Sequence, residues 1–230
     1  MTSGVPGPLA PPGSIPELAF SVEEVGPLEH AAVPTLRFGV RIDVPGGESI
    51  RSVLLHTQIQ IAARRRRHVE AEEERLFELF GERERWGTTL RTLPWTRATQ
   101  VVPPFSGSTL FDIEVPVTYD FDVVASRYLD ALEGGEVPLE LLFAGTLFYT
   151  DESGLLKTTR IAWDREAEFG LPVAVWRDTM ERYFGDQAWI RMRKESFDRL
   201  QAYRSRNALT WEDAIDQLLG RAGDGEGKGH

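Results

Sequence analysis

The chain has 230 residues, 41% apolar and 27% charged, with a formal net charge of −10. This is ordinary usage for a folded domain, and the negative charge works against sequence-independent attraction to nucleic acid phosphates or anionic lipid. Cysteine is absent, which excludes disulfides, thiolate nucleophiles, Cys-ligated zinc and Cys-held iron–sulfur clusters.

Residues 1–16 carry Pro6, Pro8, Pro11, Pro12 and Pro16 among Gly and Ser, which predicts a disordered lead-in. The same stretch has neither the basic nor the apolar region of an export signal, and no apolar run approaches the roughly 20 residues of a membrane-spanning helix. A cytoplasmic protein with no membrane association is therefore expected.

The first strand is Leu36 to Val44, where Leu36, Phe38, Val40, Ile42 and Val44 alternate with Arg37, Gly39, Arg41 and Asp43. Pro45, Gly46 and Gly47 turn the chain into a second strand, Ile50 to Ala62, with Val53, Leu55, Thr57, Ile59 and Ile61 on one face. The pair reads as an antiparallel hairpin. Arg64 to Arg67 precede Glu70 and Glu72 to Glu74, so the basic run is read as a solvated, self-paired helix start. The helix itself spans Val69 to Phe80 and stops at Gly81.

Residues 82–107 are irregular and predict short strands with a long loop. Alternation returns at Leu110 to Val117, with Pro116 confining that strand to an edge or a bend. A short helix runs to Leu132 with Asp120 as its N-cap and Gly134 and Gly135 as its end. The apolar run Leu139 to Tyr149 predicts a central strand buried on both faces, and Leu155 to Trp163 its hairpin partner.

Beyond this the chain turns helical. Helices are expected from Pro172 to Phe184, from Ser196 to Asn207, and after Thr210, with Asp213 completing a capping box and Ile215, Leu218 and Leu219 as the apolar stripe. The sum is an α+β protein: about five to seven strands in an antiparallel β-sandwich-like domain with inserted helices, followed by a C-terminal helical segment. The expected domains are a lead-in at 1–16, a sandwich at 17–168, helices packed on it at 169–220 and a disordered tail at 221–230.

Catalytic motifs are missing. The four histidines, His30, His56, His68 and His230, never fall at the spacing of a helix-borne metal pair. No nucleophile elbow, phosphate loop or dinucleotide fingerprint occurs, so no cofactor is expected. Asp112, Glu114, Asp120 and Asp122 are the carboxylates from which a glycosidase-like pair could be built, which leaves an enzyme with an unrecognised carboxylate site as one alternative. Six tryptophans point instead to core packing, with one exposed anchor for another protein. Trp95, beside Pro94 and Arg97 in the irregular segment, is the candidate anchor, and Arg97 and Phe105 complete the candidate protein-binding site.

The stretch Trp189 to Leu200, followed by a helix, a break at Asn207 and Ala208 and a second capped helix, resembles a ribbon-helix-helix module. That resemblance implies a DNA-binding regulator in which Arg191 and Arg193 read bases while Lys194 and Arg199 lie near phosphates. Nucleic acid is disfavoured as a partner by the acidic chain.

Over the whole chain after the lead-in, Trp95-Thr-Arg-Ala-Thr-Gln-Val-Val-Pro-Pro-Phe-Ser-Gly, Gly135-Glu-Val-Pro-Leu-Glu-Leu-Leu-Phe-Ala-Gly-Thr-Leu-Phe-Tyr and Leu171-Pro-Val-Ala-Val-Trp resemble an uncharacterised family of actinobacterial proteins. The resemblance implies an association with gene clusters for uptake nickel-iron hydrogenases, and it assigns no catalytic residue. The expected function is a non-catalytic accessory or assembly protein that binds another protein, in hydrogenase biogenesis.

Overall fold

Apolar and polar side chains alternate along Leu36–Ile42 and along Ile50–Ile61, and each segment gains most by putting one face into a dry interior. A computed structural model describes residues 15–117, 123–151, 153–185 and 192–226. Its elements in chain order are β1 (Ala19–Pro27), β2 (Thr35–Asp43), β3 (Ser49–Ile61), α1 (Glu70–Phe80), α2 (Trp86–Thr89), β4 (Leu93–Val102), β5 (Phe105–Ser106) and β6 (Ser108–Pro116). There follow α3 (Val123–Ala131), β7 (Glu136–Thr150), β8 (Leu156–Arg160), β9 (Glu166–Pro172), α4 (Val173–Phe184), α5 (Lys194–Arg206) and α6 (Trp211–Glu226). The chain divides into two compact units, Met1–Gly185 and Asp186–His230.

The first unit is built on two antiparallel sheets. The smaller has the order β1-β2-β6; the larger has the order β4-β3-β7-β8, with β5 beside β3 and β9 beside β7. Leu36, Phe38, Val40 and Ile42 from one sheet and Ile50, Leu55, Ile59 and Ile61 from the other are fully buried. Each such side chain contributes about 1.5–3 kcal/mol on leaving water. Aromatic rings join the layers. Phe20 of β1 stacks on Phe143 of β7 at 4.1 Å, and Phe38 of β2 meets Trp95 of β4 edge-on at 6.2 Å and Phe169 of β9 at 6.3 Å. The protein is thus α+β with sandwich-like antiparallel sheets, as the alternating runs imply.

Several expectations are corrected. β2 and β3 do not form a hairpin: β2 lies between β1 and β6, while β3 crosses to the larger sheet between β4 and β7. The Val44 N–H donates to the Gly107 carbonyl at 2.6 Å, so the chain stays tied to the smaller sheet up to the turn and then arches over. Two strands with inward apolar faces bury them equally well side by side or face to face, and alternation does not distinguish the two. β7 is buried on one face only, at Val137, Leu139, Leu141, Phe143 and Leu147, with Glu140 and Leu142 half-buried on the other. β6 does take an edge, as Pro116 requires.

β1 stands where the sequence signals no strand, β9 stands where the chain is expected to turn helical, and β4 is one continuous strand in the segment expected to hold short strands and a long loop. β1 carries a bulge between Val22 and Glu24 and β4 pairs with β3 through a shift at Ile59/Gln60, and each irregularity breaks the period-two pattern. Pro172 is the last residue of β9 and the N-cap of α4 rather than its first turn. α6 continues to Glu226, through the segment expected to be a tail. The glycines there weaken a helix by about 1 kcal/mol each but, unlike proline, do not break it. Asp120 and the lead-in at 1–14 lie outside the described residues.

The longer helices of the first unit pack on one another and on the sheets. α3 lies against α1 and α4, and α4 lies against β1, β2 and β9. Trp176 of α4 reaches Trp95 at 6.2 Å and donates its Nε1–H to Asp130 Oδ1 at 2.7 Å. Among the described residues no helix is long and apolar enough to cross a membrane.

Candidate functional site

Trp95 is not a surface anchor. The residue is only 4% exposed and its ring packs in the core against Phe38 and Trp176, because it sits at an inward-facing position of β4. Arg97, two residues on, faces solvent, and Phe105 is half-buried against the core. The three residues therefore form no joint exposed patch.

A different tryptophan is exposed. β8 and β9 both run antiparallel to β7, pairing Thr146–Thr150 and Glu136–Leu142 respectively, on the side away from β3. Between them the Ile161 N–H donates to the Gly145 carbonyl at 3.1 Å, and the Phe143 N–H to the Arg165 carbonyl at 2.9 Å. Both ends of the 161–165 segment are thus pinned to β7, and Ala162 to Asp164 loop outward. Trp163, at the crest, is 94% exposed. Opposite the loop sits Gly145, with φ +147°; a Cβ there would overlap the Leu54 carbonyl oxygen of β3. Only glycine fits at this position of β7, whose carbonyl holds one end of the loop.

The edge is mixed: β8 carries Lys157, Thr158, Thr159 and Arg160 after Leu156. Leu155 and Leu156 at the start of β8 are exposed, and so is Ile15. Pro16 and Leu18 line a pocket of about 260 Å³ with Leu147, Ile161, Ala162 and Arg165. Arg165 is paired across it with Glu17 at 3.9 Å. In sequence Trp163 reads as the end of a strand, with a ladder partner; only the register against β7 reveals that the strand stops at Arg160.

A second cluster lies where the chain leaves β3 for α1. Arg66 is not solvated: its Nη atoms donate to Glu72 at 2.6 and 2.9 Å and to the Gly134 carbonyl at 2.5 Å, while its Nε donates to the Glu136 carbonyl at 3.1 Å. Glu72, 2% exposed at its side chain, also accepts from the N–H of Glu133 at 2.8 Å and of Val69 at 3.2 Å. Burial pushes the Glu72 carboxyl up, but the Arg66 and backbone hydrogen bonds outweigh it and hold it below its ordinary value. Arg65 pairs not with its neighbours in sequence but with Glu140 and Glu168 on the larger sheet.

Beside this ion pair His68 Nε2 lies 2.9 Å from the Tyr128 hydroxyl, with Trp86 edge-on at 5.3 Å. Burial, then the Arg66 charge, lower the pKa of His68, and burial raises that of Tyr128. Both groups are driven toward their uncharged forms, and the Arg66–Glu72 pair spends its polar atoms on backbone groups. The arrangement locks α1 to the α3–β7 turn.

The remaining candidates are dispersed. His56 Nδ1 lies 2.9 Å from Thr99 Oγ1 on the wet face of β3, and Asp112 pairs with Arg37 at 3.4 Å. Asp120 and Asp122 lie outside the described residues. Among the described residues no three His, Asp or Glu side chains converge in a way that could hold a metal ion. Of the ribbon candidates, Arg191 and most of its strand lie outside the described residues; Arg193 is the extended N-cap of α5, Lys194 pairs with Asp198 at 2.9 Å, and Arg199 is exposed.

No curated protein matches the chain. Two solved structures show limited likeness. One is a solution structure of a protein provisionally assigned as late embryogenesis abundant (LEA), at 17% identity and a TM-score of 0.31, covering 69% of this chain and 73% of that one. The other is a crystal structure of a protein provisionally assigned as ApaA from Bordetella pertussis, at 15% identity and a TM-score of 0.26, covering 71% and 96%. The model of a family of unknown function, DUF6084, matches residues 15–227, nearly the full length. The chain belongs to this family.

Proposed function

We propose that the chain is a non-catalytic accessory protein of the cytoplasm that binds another protein along the β8–β9 edge, with Trp163 as the anchor. The observation that carries this reading is the exposure of Trp163 at the crest of a bulge pinned at both ends. Large aromatic side chains in water are the residues from which binding hot spots are made, and the pocket lined by Ala162 and Arg165, on either side of Trp163 in sequence, adds a concave surface near the ring. The hydrogenase association implied by the resemblance makes the hydrogenase subunits and their maturation proteins the partners to try first.

The test is direct binding of purified chain to each of those proteins by calorimetry, with Trp163→Ala as the control. A Trp anchor gives at least about a tenfold loss of affinity on truncation, whereas the stability of Trp163→Ala stays within about 0.5 kcal/mol because the ring touches little. Binding that is unchanged in Trp163→Ala sinks the proposal. Binding to none of these proteins removes the hydrogenase reading, and retardation of a DNA duplex that is lost with Arg193→Ala and Arg199→Ala replaces it with the regulator reading.

A further inference from the structure

The pocket beside the 161–165 loop has a chemistry of its own. It is lined by the residues leading into β1, by Leu147 of β7, and by the end of β8 with the loop that follows, and its volume is about 260 Å³. Leu18 and Leu147 are buried and Ile161 is half-buried against the core, so the apolar part of the lining is fixed by the sandwich itself. The polar part is Glu17, Thr159, Arg160 and Arg165.

Arg165 sets what the pocket can hold. Its carbonyl accepts from the Phe143 N–H, so the residue is tied to β7, and its side chain is 30% exposed. Two carboxylates stand near the guanidinium, Glu17 at 3.9 Å and Asp164 at 3.8 Å, and both lie beyond hydrogen-bond reach. Among the described residues no hydrogen bond reaches that guanidinium, whose planar fork offers five N–H donors. The Glu17 side chain is 76% exposed, and so loose an ion pair costs little to open. Arg160 is exposed and adds a second positive charge to the lining. Dry walls beside a half-buried guanidinium fit an apolar tail that ends in a carboxylate, since a carboxylate takes two parallel N–H bonds from a single arginine. A dianion fits less well, because Glu17 and Asp164 repel it.

Size narrows the ligand further. At roughly 30 Å³ for each water-sized group, a volume of about 260 Å³ holds about eight or nine non-hydrogen atoms. We propose that this pocket binds a free aliphatic carboxylate of about six carbons, with Arg165 on the carboxylate and Leu18, Leu147 and Ile161 around the tail. The inference goes beyond the protein-binding reading, because Trp163 does not line the pocket and no partner protein is needed.

The test is titration of the isotope-labelled full chain with hexanoate, read by nuclear magnetic resonance at the backbone amides of Leu147, Ile161 and Ala162. Saturable shifts are expected there. Hexanol, which has the tail without the charge, and acetate, which has the charge without the tail, are each expected to bind at least about tenfold more weakly. Arg165→Gln should weaken hexanoate by a similar factor, whereas Glu17→Gln removes the competing carboxylate and tightens it. The absence of a saturable shift at these amides, hexanol bound as tightly as hexanoate, or hexanoate binding indifferent to Arg165→Gln overturns the proposal. The comparison with hexanol uses the wild-type chain, so it decides the matter whether or not Arg165→Gln folds. No partner protein enters these measurements, so failure here and failure of the Trp163 anchor are told apart.

Discussion

Arg66 and Glu72 form a doubly hydrogen-bonded pair that water scarcely reaches, and the electrostatics around α1 follow from it. His68 sits beside that pair and against Trp86 and Tyr128, and burial, with the Arg66 charge, lowers its pKa. The sign is fixed by comparing the two states. An unfolded chain takes up a proton at His68 as the pH falls through about 6.5, and the folded chain resists until lower pH. Stability is therefore present above that window and is lost on going down through it. His68→Gln removes the titration, so the urea midpoint of the variant is expected to be flatter than that of wild type between about pH 7 and pH 5.5. Equal slopes refute the assignment. Glu72, held below its ordinary value, loses its contribution only in a separate, more acidic window. The sequence displays Arg64 to Arg67 in a row but not which one is buried, because the carbonyls that receive Arg66 come from Gly134 and Glu136, far along the chain. Trp95 and Trp163 are similarly alike in sequence, and only their places in the ladder separate core ring from anchor.

Among elements, those with unbroken alternation were legible: β2, β3, β6 and β7 lie within a few residues of their expected spans, and α1, α5 and α6 follow the helical spacing and caps that announce them. The elements that escaped carry a bulge, as in β1, a proline and a register shift, as in β4, or only three inward residues, as in β9. Sheet membership escaped too, since facing and neighbouring strands share one pattern. The outward loop at Trp163 belongs to this class, because the groups that hold its two ends, the Gly145 carbonyl and the Phe143 N–H, lie on β7. Gly145→Ala adds a Cβ where the Leu54 carbonyl stands and forces a positive φ on alanine. The variant is expected to lose about 2 kcal/mol or more in a urea titration. It should also weaken any partner that Trp163 anchors, although it lies outside the exposed patch. A variant as stable as wild type would mean that β7 and β3 can relax around the extra carbon.

At the scale of the whole molecule, the core and the charge are distributed differently between the units. Among the described residues, all the buried apolar ones but Ala214 fall before residue 186. The sheets, the aromatic bridges through Phe38 and Phe20, and the Arg66–Glu72 lock are likewise within Met1–Gly185. The apolar area that drives cooperative unfolding is thus held by the first unit, and the denaturant slope, which scales with area exposed, should follow it. A chain ending at Gly185 is expected to unfold in a single transition, with a urea midpoint that corresponds to within about 1 kcal/mol of the full chain. The complementary piece, Asp186–His230, has no such reserve. As a dilute monomer it should show little helical circular dichroism. Loss of the cooperative transition in the shorter chain would show that the sandwich depends on the hairpin, and strong helicity in the dilute fragment would show that α5 and α6 need no cover at all.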